Sequence, residues 1–242
     1  MKHSSTWLLT LLTLPLFCPS TSTAAVVVNV EARASFMGSF SGQGAYAATG
    51  NYWNSFVNIA GGSNLLASDG TTVTGISFSA GNTSAPDAGF GGSGNGDLLA
   101  DYWYVHGSNV GTFTLGGLTA GNAYSVYVYS QAGSSGATDR AATITLGGAS
   151  QNLTGLAGPG GSLVAGQNYV VFNISSLVGT SLSGTFATQT GSGEAELNGL
   201  QIINLGAGSG SSTVPDTSTS AWLLGFLLLG SAAAERRLRA TR

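Results

Sequence analysis

The chain has 242 residues, of which seven are Lys or Arg, ten are Asp or Glu, and one is a cysteine, Cys18. Between Val26 and Thr213 only Arg33 and Arg140 are basic, against eight carboxylates (Glu31, Asp69, Asp87, Asp97, Asp101, Asp139, Glu194 and Glu196), so this body carries a net charge of −6. Such a surface repels phosphate backbones and excludes nucleic acid as a partner, and a single cysteine excludes an internal disulfide.

In chain order, Lys2 precedes an apolar run from Trp7 to Phe17, and Thr23-Ala24-Ala25 satisfies the small-x-small cleavage pattern. Residues 1–25 are therefore expected to be a secretory signal peptide. Pro15-Leu16-Phe17 lacks the small residues of a lipobox, so Cys18 is expected to leave with the signal and not to carry a lipid. The body, 26–205, reads as short β-prone runs separated by Gly, Asn and Ser turns, the pattern of a sandwich or barrel. Strands are expected at 26–31, 73–79, 112–115, 124–130, 142–146, 169–174, 181–187 and 197–203. Tyr124-Ser125-Val126-Tyr127-Val128-Tyr129 is the strongest, being β-branched and aromatic through its core. Residues 98–103 fit a short helix and a strand equally. Residues 38–50 and 81–96, rich in glycine, read as long surface loops. No helical period persists through the body.

Residues 206–213 are expected to form a Gly/Ser linker, flexible by composition. Beyond it, 214–242 combines Val214-Pro215-Asp216-Thr217-Ser218, an apolar run over 221–234, and a basic end with Arg236, Arg237, Arg239 and Arg242. At ~1.5 Å per residue that run spans about 21 Å, short of a bilayer core of roughly 30 Å. Snorkelling of Arg236 and Arg237 narrows the gap. The basic end is expected in the cytoplasm with the body outside.

This three-part tail resembles the C-terminal sorting domains of PEP-CTERM type, and within them the variant whose motif begins Val-Pro-Asp-Ser-Gly. Val214, Pro215 and Asp216 match; Thr217 and Ser218 depart. The resemblance implies recognition by an exosortase-type processing enzyme, a transient membrane anchor, and delivery to the cell surface or extracellular matrix. An uncleaved single-pass anchor is the plainer alternative. The body carries Tyr52-Trp53-Asn54, Leu118 to Tyr124, Val164 to Phe172 and Glu196 to Ile202 in an order similar to secreted β-sandwich domains and, more loosely, to galactose-binding-like jelly rolls. That resemblance implies an all-β, jelly-roll-like antiparallel β-sandwich, here flanked by an N-terminal signal helix and a C-terminal transmembrane helix, and it suggests carbohydrate as a ligand.

Candidate chemistry is sparse. Trp53, Tyr102 and Trp103, with Tyr104, offer flat faces for sugar rings, although tryptophans in such a body also serve as core. Glu194 and Glu196 are two apart and share one strand face; paired carboxylates serve glycoside hydrolysis, but this spacing also describes a solvated strand edge. Glu196 with Glu31 and Asn29 is the candidate calcium set, since calcium takes oxygen ligands. His106, the body's only histidine, lacks partners for a zinc site. No catalytic residue and no cofactor other than this possible calcium are assigned. The expected role is that of a structural or adhesive component of the surface or matrix, with a carbohydrate-binding module as the alternative and a glycoside-active enzyme behind both.

Overall fold

Burial alternates residue by residue along most of the strands, as a pleated segment with one face inward requires. In β7, for example, Gly111, Phe113 and Leu115 are buried while Thr112 and Thr114 face out. The computed structural model describes residues 25–34, 38–57, 60–84, 87–88, 98–131, 140–156, 162–189 and 193–208. The expected signal peptide (except Ala25) and the sorting tail, with Val214–Ser218 and the basic cluster Arg236, Arg237 and Arg239, lie outside the described residues. Among those described, no helix is long and apolar enough to cross a membrane.

Fourteen strands are described: β1 (Val26–Arg33), β2 (Asn54–Val57), β3 (Gly61–Gly62), β4 (Ser77–Gly81), β5 (Asp87–Ala88), β6 (Asp101–His106), β7 (Val110–Gly116), β8 (Asn122–Tyr129), β9 (Ala142–Leu146), β10 (Ala149–Leu153), β11 (Tyr169–Ile174), β12 (Leu182–Thr188), β13 (Glu194–Leu197) and β14 (Gly199–Ala207). They form a five-stranded sheet, β11-β8-β14-β1-β2, a six-stranded sheet, β10-β9-β12-β7-β4-β3, and a small sheet, β13-β6-β5. From β7 to β12 the chain passes back and forth between the two large sheets, pausing only at the β9–β10 hairpin, so the winding is jelly-roll-like. The fold is thus the expected all-β sandwich, with one correction. β1 and β2 pair in parallel, because the connection over 34–53 carries the chain back to the end of the sheet where β1 began, as a parallel pair demands.

The main core lies between the large sheets. Val28, Val30, Val126, Val128, Leu200 and Ile202 face Phe78, Phe113, Leu115, Ile144 and Phe186, and Trp103 and Leu197 of the small sheet join the same cluster. Two glycines let phenylalanine rings lie flat against β7 and β12. Gly184 is paired with Phe113, and Gly111 with Phe186; a Cβ at either would come within 2.2 or 2.4 Å of the opposing ring.

The outer faces of the large sheets differ. Across the six-stranded sheet, Ser150, Thr145, Thr185 and Thr112 fall in register on one uncharged row. The five-stranded sheet is instead roofed by the segment 38–50. At one side of the sandwich the edge strands β10 and β11 are stitched together, Gln151 Nε2 donating to the Val171 carbonyl at 2.6 Å.

Asn198 forms the corner where β13 leaves the small sheet and β14 enters the large one. Fully buried, it accepts from Gln131 N at 2.7 Å and donates to the carbonyls of Leu99 and Asp101, each at 3.0 Å. Its backbone N–H donates to Tyr129 O, and its carbonyl accepts from Ala32 N. Asn198→Ala strands one buried donor and two acceptors, so urea unfolding of the protein should show a loss of about 3 kcal/mol. Asn152→Ala, at an exposed position on β10, should stay within about 0.5 kcal/mol; equal losses would contradict this role for Asn198.

Candidate functional site

On the roofed face of the five-stranded sheet, aromatic rings run from a second core out to the surface. Phe40, Trp53, Leu98, Leu99 and Tyr129 make up that core, with Ala45, Tyr127, Leu163 and Tyr169 packed on it. Phe40 meets Trp53 edge-on at 5.2 Å, and Trp53 meets Tyr129 at 6.2 Å. Tyr129 contacts Tyr169 at 6.0 Å, Tyr169 stacks on Tyr127 at 5.9 Å with 28° between the planes, and Tyr127 contacts Tyr46 at 6.0 Å. The first three rings are buried. Tyr169, Tyr127 and Tyr46 are half-buried and reach the surface.

A polar clamp fixes the loop that carries Tyr46. Gln201 Oε1 accepts from Tyr46 N at 2.9 Å, while its Nε2 donates to Tyr46 O at 3.1 Å and to Asn29 Oδ1 at 3.0 Å. Tyr129 Oη donates to Gln201 Oε1 and accepts from Ala45 N. Burial drives the Tyr129 hydroxyl far above its ordinary pKa, so it stays a neutral donor. Both backbone groups of Tyr46 are therefore held by one buried glutamine.

The sequence-derived aromatic candidates separate. Trp103 is fully buried between the large sheets, and Trp53 is 4% exposed with Nε1 donating to Gly42 O at 3.1 Å. So buried, neither offers a face to a ligand. Tyr102 is half-buried on the outer face of β6, edge-on to Tyr104 at 5.9 Å. Sequence reasoning missed Tyr46, Tyr127 and Tyr169. The alternation within 124–129 does put Tyr127 and Tyr129 on one face, but only the β8–β11 pairing brings Tyr169 beside them.

The calcium set does not assemble. Glu196 lies on β13 with Oε1 2.8 Å from Arg140 Nη1, whereas Glu31 and Asn29 lie on β1. The Glu31 carboxylate accepts from Phe40 N at 3.0 Å and from Ser55 Oγ. The Asn29 amide donates to Tyr52 O at 2.8 Å. These donors are engaged by the protein and do not converge, so the residues do not fit calcium. Among the described residues no group of three or more His, Cys, Asp or Glu side chains could hold a metal ion.

No family model matches the chain, and no curated protein matches it. Among solved structures the chain is similar to a family 35 carbohydrate binding module from Clostridium thermocellum, at 14% identity and a TM-score of 0.33, over 52% of this chain and 90% of that one. It is also similar to an exo-β-1,3-galactanase from Phanerochaete chrysosporium with galactose, at 22% and 0.30, over 55% of this chain and 30% of the galactanase. A third is TmCBM61 in complex with β-1,4-galactotriose, at 11% and 0.24, over 53% and 83%. At TM-scores this low the matches assign no ligand to this chain.

The roof over the sheet rests partly on Glu31. Burial raises its carboxyl from 4.5 to about 7, against the lowering effects of Ser55, Phe40 N–H and Arg33, with Asp101 adding to the rise. The folded state thus holds this proton to higher pH than the unfolded chain does. The associated stability is complete below pH ~4.5 and is lost as pH rises through ~7, about 3 kcal/mol in total. Glu31→Gln should flatten that decline in denaturation midpoints measured from pH 4.5 to 8. An unchanged slope in the variant would remove Glu31 as the cause.

Proposed function

We propose that the protein is an exported carbohydrate-binding module whose ligand platform is Tyr46, Tyr127 and Tyr169. The observation that carries this reading is the set of three tyrosine rings surfacing on one sheet face, with the main chain of Tyr46 clamped by Gln201. A tyrosine ring offers an apolar face to the C–H face of a pyranose and a hydroxyl to its rim. Rigid aromatic anchors lose little conformational freedom on binding. The body's net charge of −6 favours neutral glycans over uronate-rich ones.

Binding is better supported than hydrolysis. Glycosidases set two carboxyl groups on opposite sides of the scissile bond, about 5–9.5 Å apart. Glu194 and Glu196 instead share a strand face and one guanidinium, that of Arg140. The signal sequence and the tail at 214–242 support the setting: export, processing by an exosortase-type enzyme, transient membrane anchoring, and an adhesive role at the surface or in the matrix.

On a glycan array, the protein should bind neutral polysaccharides and not polyuronates. Tyr127→Ala should weaken that binding about tenfold, ~1.4 kcal/mol, while Val178→Ser on the exposed β11–β12 loop leaves it intact. Full binding by Tyr127→Ala would overturn the platform. Separately, mass spectrometry of surface-released protein should find a C-terminus between Pro215 and Thr219; an intact Arg242 would make the tail an ordinary anchor.

A further inference from the structure

Four ionisable groups of a charge-poor body meet on the outer face of the small sheet. Register sets His106 opposite Glu194 and Tyr104 opposite Glu196. Arg140, at the end of the β8–β9 connection, contacts both carboxylates, and His106 Nδ1 lies 3.1 Å from Glu194 Oε1. The Glu196 side chain is wholly buried; those of Glu194, Arg140 and His106 keep 20%, 23% and 59% of their exposure. Burying a glutamate costs several kcal/mol of desolvation, and well-packed apolar side chains hold a segment in place as firmly. Tethering alone therefore does not account for this concentration of charge.

The accessible members are complementary to one another. They already pair with one another, so a ligand would share them: Glu194 as acceptor, Arg140 as donor, and the imidazole of His106 as either. Tyr104 stands edge-on to His106 at 4.9 Å, with Tyr102 behind it at 5.9 Å. Two adjacent ring hydroxyls of a sugar fit this arrangement: one donates to the carboxylate and its neighbour accepts from the guanidinium. The apolar sugar face is left to lie against the aromatic groups.

We propose that this face is a second glycan site, selective for adjacent ring hydroxyls, and that it makes the protein bivalent, a cross-bridge between polysaccharide chains. The proposal rests on the carbohydrate-binding reading, but its residues sit on β6, β13 and Arg140, whereas the tyrosine platform sits on β8, β11 and the segment 38–50. Two modest sites on one rigid body gain avidity on a polymer without any new contact.

Calorimetry of the full chain with neutral trisaccharides (cello-, laminari- and β-1,4-galactotriose), followed by turbidity with the matching polysaccharide, tests this. The wild type should bind two trisaccharides and cloud the polymer. His106→Ala and Glu194→Gln should each leave one site, that at the platform, and abolish clouding; Tyr127→Ala should leave only the other. His106 is exposed, so His106→Ala with an unchanged melting temperature separates lost binding from lost fold. A stoichiometry of one that both variants preserve would overturn the second site and spare the platform. A single site lost in His106→Ala and kept in Tyr127→Ala would overturn the platform and bivalency together. No binding to any of the sugars would overturn both.

Discussion

The buried amide of Asn198 is the joint on which the architecture turns. A strand that ends in one sheet and resumes in another must bend in the interior, where every freed backbone group needs a partner. Asn198 meets this need for three neighbouring stretches of chain: it binds the exit of β8 through Tyr129 and Gln131, the end of β1 through Ala32, and the entry to β6 through Leu99 and Asp101. Because β6 and β13 are fixed there, Trp103 and Leu197 reach the main core while Tyr104, His106 and Glu194 remain on the outside.

A shortage of charge shapes the rest. The six-stranded sheet meets water with hydroxyls in place of ion pairs. The five-stranded sheet hides its polar interior residues, Asn29, Glu31 and Gln201, beneath a loop whose backbone they hold. The second core under that loop is what brings three tyrosines to the surface together, so a packing solution and the proposed recognition surface are one construction. Glu31 marks its cost, since burial raises its carboxyl to about 7 despite the hydrogen bonds from Phe40 N and Ser55 and the nearby Arg33.

Much of the sheet framework was legible in the sequence. Period-two alternation and turn glycines located β9 and β11 to the residue and β7, β8 and β12 to within two residues at either end. Other strands were hidden for physical reasons. Gly61–Gly62 has no side chains to alternate, and Ala149–Leu153 is a polar edge whose pairing with β9 comes from the Gly147-Gly148 turn. Residues 98–103, open to helix or strand, divide: 98–100 form a turn that packs into the second core, and the strand begins at Asp101. The site was harder to see. Trp53 and Trp103 attract attention as ligand-stacking residues because they are large, and for the same reason the core takes them. Tyr46, Tyr127 and Tyr169 come together only through long-range pairing, to which no local pattern points.

An open strand edge can recruit another copy of the same chain, and lysines along the edge are a common safeguard. This chain's only lysine is Lys2, so that safeguard is closed to the sandwich. The link from Gln151 to the Val171 carbonyl does the same work without charge, occupying a β11 acceptor with a side chain from the neighbouring sheet. Such a guard carries no charge, so salt does not screen it as it would a row of lysines.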